Sequence, residues 1–205
     1  MKTDRLEMFS DGVFAIAITL LILEVKIPKH EDLIASGGLY NYLLHLWPSY
    51  LSYVVSFFVL GIYWSNHHHL FTFVIKKTDH VFNMMNILFL MTIAFMPFTT
   101  AVMGDFILDG EYRNAAVTTY CIGICLPPPT ILVIILYATY KKRLVDPKLS
   151  KRFINKQIIK LIFALVGQGT ALAFSFNYPI VSIWIIVVCL FIYFLPPDQP
   201  EYDEV

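Results

Sequence analysis

The chain has 205 residues, of which 58% are hydrophobic and only 15% are charged. Soluble domains carry about 25% charged residues, so this composition is typical of an all-α membrane protein. The net charge is zero, which gives no reason to expect a nucleic-acid partner. The odd number of cysteines, three, all in apolar segments, argues against a disulfide framework.

Six apolar runs are long enough to cross a bilayer as helices, since a crossing needs about 20 residues. They are predicted at 9–27, 42–64, 82–103, 115–140, 154–176 and 179–195, and the last is short. The sequence therefore predicts a six-helix transmembrane domain over residues 1–195. Residues 196–205 are acidic and rich in proline, and we expect them to form a disordered tail.

Basic residues indicate the orientation of these helices, because lysine and arginine favour cytoplasmic loops. With six spans, twelve basic residues share one side: Lys2, Arg5, Lys76, Lys77, Lys141, Lys142, Arg143, Lys148, Lys151, Arg152, Lys156 and Lys160. Three basic residues fall on the other side: Lys26, Lys29 and Arg113. Both termini are therefore predicted to be cytoplasmic in a cell membrane.

The first predicted span has two different sides. At 3.6 residues per turn, Ile16, Leu20 and Leu23 form one aliphatic stripe. Asp11 projects about 145° from the centre of this stripe, and Thr19 flanks it at about 65°. An acidic residue at the entrance of a membrane helix is costly and favours a functional site. Periodicity alone favours a lipid-facing or packed stripe.

The start of this span carries the motif Arg-x-x-x-Phe-Ser-Asp, formed by Arg5, Phe9, Ser10 and Asp11. Together with the following Gly-Val-Phe-Ala-Ile-Ala-Ile-Thr-Leu-Leu-Ile-Leu-Glu, this motif resembles the transmembrane protein 175 family of endolysosomal and prokaryotic potassium channels. The chain has the form of the single-repeat prokaryotic members.

The resemblance implies a homotetramer in which the first helices line a central pore for potassium and other monovalent cations. It assigns the constriction to Ile16, Leu20 and Leu23, and a contribution to selectivity to Thr19. No Thr-Val-Gly-Tyr-Gly loop occurs in the sequence, which excludes a conventional potassium filter. An apolar ring would act as a gate, and Glu24 near the outer mouth would concentrate cations.

The second span ends in a polar cluster that the family shares as Trp-x-x-His-His, here Trp64, His67 and His68. We expect Asp11 to bond one of these imidazoles or the indole N–H of Trp64, because a buried carboxylate needs a partner. An Asp–His pair would be a candidate pH sensor. Adjacent histidines diverge by 100° on a helix and suit a metal poorly, so no metal and no cofactor are expected.

Successive prolines, Pro127 to Pro129, must break or kink the fourth span. The break leaves open a packing kink, a hinge or a substrate cavity, and with the cavity a secondary transporter as the alternative function. No nucleophile with a positioned base and no His-Glu-x-x-His motif occurs, so an enzyme is not expected. The sequence favours a potassium-permeable channel.

Overall fold

The computed structural model describes residues 3–193 and 200–202, and within these ranges the chain is helical. Its helices are α1 (Asp4–Leu20), α2 (His30–Ser36), α3 (Leu39–His45), α4 (Trp47–His69), α5 (His80–Ala94), α6 (Met96–Phe106), α7 (Arg113–Cys125), α8 (Pro127–Thr139), α9 (Lys151–Ser175) and α10 (Pro179–Tyr193). A 3₁₀ turn, Leu21–Glu24, extends α1, and a π-helical turn, Leu70–Val74, extends α4. The described residues form isolated β-bridges and no strand.

Four helical stretches are long and apolar enough to cross a membrane: Asp4–Glu24, His80–Phe106, Arg113–Lys142 and Lys151–Ser175. The second predicted span is bent by 47° between α3 and the helix Trp47–Val74. The sixth, α10, is an apolar helix of 15 residues. Every predicted span thus has a helical counterpart. Within the described residues, however, only four helical stretches are long and apolar enough to cross a membrane, or five if the bent pair is one span.

The connection between the first and second spans differs from the prediction, which placed one helix over residues 42–64 and none before it. The structure instead contains α2 and α3, and the bend follows at Leu46, where α3 ends and α4 begins. Pro48 lies in the first turn of α4, where a missing N–H has no helical partner to lose. The proline thus begins a helix here.

The same rule explains the triple proline. Helix α7 ends at Cys125, and Pro127, Pro128 and Pro129 form the first turn of α8. The break predicted for the fourth span is therefore present, but Arg113–Lys142 still runs as one helical stretch of 30 residues. The prolines mark a helix junction within a continuous span.

Helix α1 packs on α4, α5 and α6, while α7 and α10 pack on α9. The two groups are joined by the packing of α6 on α7 and by α8, which contacts α5 and α9. The shared core is aliphatic and aromatic, with Phe14, Phe82, Phe89 and Ile93 at most 1% exposed. One side of α1 is part of this core, so the opposite side of α1 faces away from it.

Polar contacts join the helix ends. On the lysine-rich side, which is the predicted cytoplasmic side with its twelve basic residues, the Asp79 carboxylate caps α5. It accepts from the Phe82 N–H at 2.9 Å and from the Tyr137 hydroxyl at 2.8 Å. These bonds, with Arg143 at 3.3 Å, hold the pKa of Asp79 below its usual value. On the opposite side Lys26 pairs with Asp105.

Part of the predicted tail is described. The Ser150 N–H donates to the Glu201 carbonyl at 2.9 Å, so residues 200–202 lie against the start of α9. The other residues of the predicted tail, 196–199 and 203–205, lie outside the described ranges.

Candidate functional site at the first helix

The aliphatic stripe of the first span lies on the uncovered side of α1. Ile16 is 61% exposed, Leu20 41% and Leu23 72%. The opposite side is buried, with Phe14 and Ala17 at most 2% exposed. The two-sided character read from the periodicity is therefore present, with the stripe facing away from the rest of the chain.

The geometry at the end of the stripe differs from a uniform α-helix. Leu23 belongs to the 3₁₀ turn, in which residues three apart eclipse one another. Leu23 therefore lies directly over Leu20 along the helix axis. The uncovered side ends in two leucines stacked in one line.

Thr19 is exposed beside the stripe, and its hydroxyl is already committed as a donor. It donates to the Ala15 carbonyl at 2.8 Å and the Ile16 carbonyl at 2.9 Å. Because the proton points into the helix, the oxygen lone pairs point away from it. The side chain can therefore act as an acceptor toward whatever lies on that side.

A buried polar chain fixes the other side of α1. The Asn86 amide on α5 donates to Ser10 Oγ at 3.0 Å, and its oxygen lies 2.9 Å from His67 Nε2 on α4. All three residues are fully buried. Ser10 Oγ donates in turn to the Leu6 carbonyl at 2.8 Å. Three helices are joined by these bonds.

Aromatic rings enclose His67 in this chain. It stacks on Phe71 at 4.4 Å and on Phe89 at 5.4 Å, and it meets Phe14 at 5.7 Å between ring centroids. Its Nδ1 has no hydrogen-bond partner among the described residues. The surroundings are those of an imidazole held in place by packing.

Asp11 bonds the indole and not an imidazole. Trp64 Nε1–H donates to Asp11 Oδ1 at 2.9 Å, one of the two partners expected from the sequence. The pair is not deeply buried, since Trp64 is 41% exposed and Asp11 is half-buried. The Asp–His pair considered as a pH sensor is not formed by this aspartate.

A carboxylate–imidazole pair exists one turn away. Glu7 Oε1 lies 3.1 Å from His68 Nδ1, and the Thr72 hydroxyl donates to the same oxygen at 3.3 Å. The His68 ring stacks on Trp64 at 5.7 Å. Glu7 was not singled out in the sequence, although it lies one helical turn before Asp11.

Two motif residues remain outside both networks. Arg5 is exposed and has no ion pair with any residue in the described ranges, and Phe9 is 55% exposed. Nor do the described residues contain a group of three or more His, Cys, Asp or Glu side chains that could hold a metal ion. Within the described residues, the side chains of Ser10 and Asp11 are thus hydrogen-bonded to other helices, and those of Arg5 and Phe9 are not.

Asn86 is the residue of this site that sequence reasoning missed. It lies in an apolar stretch, Val-Phe-Asn-Met-Met-Asn-Ile-Leu-Phe, where a polar side chain without a hydrogen-bond partner is costly. The same rule that singled out Ser10 and Asp11 could therefore have found it. Its partners, one on each of two other helices, could not be read from the sequence.

These features define a helical membrane protein whose first helix is bonded on one side and uncovered on the other. The family described as "Endosomal/lysosomal potassium channel TMEM175" matches residues 5–97. A potassium channel of Chamaesiphon minutus is 38% identical over 94% of this chain and 93% of its own length. The chain belongs to the TMEM175 family, a family of ion channels and not of enzymes.

Two further comparisons cover nearly the same extent. A potassium channel of Streptomyces collinus is 34% identical over 85% of this chain and 83% of its own length. The crystal structure of a lysosomal potassium-selective channel TMEM175 homolog from Chamaesiphon minutus matches with a TM-score of 0.83 at 32% identity. This match covers 93% of the present chain and 95% of the crystallised one, so the fold is shared over its length.

Proposed function

We propose that this chain is the subunit of a homotetrameric, potassium-permeable cation channel of the cell membrane. Residues 1–195 form the six-helix channel domain, with both termini cytoplasmic. Membership of the TMEM175 family and the names of two relatives as potassium channels support this function. An oligomer follows from the need for several copies of one helix to encircle an ion, and the number of four subunits is the one that the family resemblance implies.

The observation that carries the pore assignment is the uncovered stripe of α1. Ile16, Leu20 and Leu23 are exposed on a helix whose opposite side is buried against α4, α5 and α6. Four such stripes around an axis form apolar rings that offer an ion no ligand, so the rings act as a gate that conducts when it is wide enough for water. The eclipsed Leu20 and Leu23 extend the constriction along the axis.

Selectivity is assigned to Thr19. Its hydroxyl proton is used within the helix, which leaves the oxygen to meet a cation or its hydration water. Four such oxygens next to the apolar rings provide polar groups where the ion loses part of its hydration.

The joined motif residues hold the pore helix in position. Ser10 and His67 meet at Asn86, and Asp11 meets Trp64, so α1 is fixed to α4 and α5 on the side away from the proposed axis. His68 supports the indole by stacking. Arg5 and Phe9, which are exposed in the single chain, are assigned to contacts between subunits.

Reconstitution in liposomes with a potassium gradient tests the function, with a voltage-sensitive dye as readout. A channel produces potassium flux with no co-substrate, and the flux stops when an imposed potential balances the gradient. Flux that appears only with a second solute would instead support the transporter. That alternative has one structural feature in its favour, because Pro128 of the helix junction lines a cavity.

A further inference from the structure

A cavity of about 340 Å³ lies between α4, α8, α9 and α10, away from the stripe of α1. This volume is within the range of small-molecule sites, about 300–1,000 Å³. Most of the lining is apolar and includes Val59, Ile124, Ile131, Phe153, Ala164 and Ile186. The walls are therefore suited to hydrocarbon.

The mouth of this cavity opens on the side of the helix bundle. Ile159 and Phe163 of α9 line the cavity and are 62% and 69% exposed. Both lie within the candidate membrane span Lys151–Ser175. A molecule therefore enters from the lipid phase and not from water.

Polar groups occur at the two ends of the cavity. At one end Gln157 and Lys160 line it, and the buried Gln157 Nε2 has no hydrogen-bond partner within the described chain. These groups are donors, which fit an anionic oxygen. At the other end Gln168, 9% exposed, has a buried Oε1 that no described residue bonds.

The spacing of these ends matches one leaflet of a bilayer. Gln157 and Gln168 are eleven residues apart on α9, or about 16 Å along its axis. Half of the ~30 Å hydrocarbon thickness is close to this length. The donor end is the one nearer to the start of α9, where Lys151, Arg152 and Lys156 also lie. An acyl chain thus fits between the ends, with its headgroup on the lysine-rich side.

We propose that the cavity binds one acyl chain of an anionic phospholipid from that leaflet, with a headgroup oxygen at Gln157 and Lys160. The side chain of Lys160 is long enough to lay its methylenes along the wall while its ammonium reaches the headgroup. The lysines and arginine at the start of α9 favour an anionic over a zwitterionic lipid. This site is separate from the proposed pore and does not depend on potassium permeation.

Native mass spectrometry of the purified full-length protein tests the site, with phosphatidylglycerol and phosphatidylcholine as probes. We expect one phosphatidylglycerol retained per subunit, in preference to phosphatidylcholine. Lys160→Gln should weaken phosphatidylglycerol retention about fivefold, the effect of one basic residue at an anionic surface. Lys148→Gln, an exposed lysine in the loop before α9, is the matched control and should leave retention unchanged.

A second variant fills the cavity. Ala164 lies in its wall and is 4% exposed, so Ala164→Trp should abolish retention of both lipids, with folding checked by thermal unfolding. Equal retention in the Lys160 and Lys148 variants, or retained lipid in a folded Ala164→Trp protein, would overturn the proposal. Palmitate binding without phosphatidylglycerol binding would overturn it too, since the occupant would be a free fatty acid. Dissociation of the oligomer by Ala164→Trp with lipid still bound would assign the cavity to a subunit contact.

Discussion

The two faces of α1 differ in how they are held. Ser10 on the buried face is bonded to Asn86, and through it to His67, on two other helices. Ile16 and Leu20 on the other face are exposed and contact no such network. One helix thus has a face that is bonded to its neighbours and a face that is exposed, which is the face of the proposed pore. Substitutions on the two faces should have different consequences.

The largest effect should come from a substitution that removes the hydrogen bonds on the buried face of α1. Asn86→Ala removes the shared partner of Ser10 and His67, and each buried group left unpaired costs about 1–3 kcal/mol. We expect a strong loss of folded protein, measured by yield and thermal unfolding in detergent.

Asn66→Ala is the control for this change. Asn66 is exposed, and its amide bonds the Ile62 carbonyl of its own helix at 2.9 Å. A normal unfolding temperature for Asn86→Ala would show that the buried chain does not hold α1, and the contrast between the faces would disappear.

The uncovered face is tested by Ile16→Asn, which replaces an apolar ring with a polar one in the proposed tetramer. Water and cations enter more easily, so liposome flux should rise about tenfold, equivalent to a barrier lower by about 1.4 kcal/mol. Folding should be unaffected because the side chain is 61% exposed. Ile180→Asn on α10, at 58% exposed, is the control and should not change flux. Equal flux in both variants would mean that Ile16 faces lipid.

Asp11 should have an intermediate effect that sharpens the comparison. The sequence suggested a buried carboxylate, but the bond to Trp64 is partly exposed. Asp11→Ala should therefore cost about 1 kcal/mol, less than Asn86→Ala, because water replaces the lost partner. A double-mutant cycle with Trp64→Phe measures the pair directly. Stable Asp11→Ala protein with altered ion preference would place the carboxylate on the ion path and reverse the assigned orientation of α1.

Thr19→Val should act on preference and not on folding. Loss of a neutral hydroxyl contact worth about 0.5–1.5 kcal/mol should reduce the potassium-to-sodium permeability ratio a few-fold. The measurement is the reversal potential under bi-ionic conditions. Thr170→Val is a close control, since Thr170 is exposed on α9 and also donates to its own helix, at Val166. An unchanged reversal potential would remove Thr19 from selectivity.

The smallest effect lies away from both faces, at Asp79. Its pKa is lowered chiefly by the Phe82 N–H bond, so its contribution to stability is present above the ordinary carboxyl pKa and lost as the pH falls through the lowered value. Unfolding midpoints of wild type and Asp79→Asn should therefore converge as the pH is lowered from about 6 to about 3. A gap that widens in acid would assign the pH response to another group.

The sequence predicted the parts of this structure that depend on one helix at a time. The stripe of α1 follows from a 3.6-residue period. For the partner of Asp11, which lies on another helix, the sequence left the choice open between an imidazole and the indole of Trp64. Asn86 could have been singled out as a polar residue in an apolar span, but its partners depend on how three helices pack, which no local pattern encodes. The bend at Leu46 was missed because a proline in an apolar run was not recognised as the start of a new helix.

The α-helix ends at Leu20 and the 3₁₀ turn places Leu23 over it, so the period used for the stripe did not apply to its last residue. Glu7 was missed for a simpler reason, since it occupies one of the unspecified positions of the Arg-x-x-x-Phe-Ser-Asp motif. The cavity between α4, α8, α9 and α10 is a packing feature of four helices, and only its edge at Pro128 had a sequence signal.

The length of one span has a consequence for the surrounding membrane. The span Arg113–Lys142 has 30 residues, about 45 Å along a helix axis. A hydrocarbon layer of about 30 Å is thinner than this, so the span must tilt or extend beyond the layer. Bilayers of different lipid chain length should therefore change the angle between this span and the membrane normal.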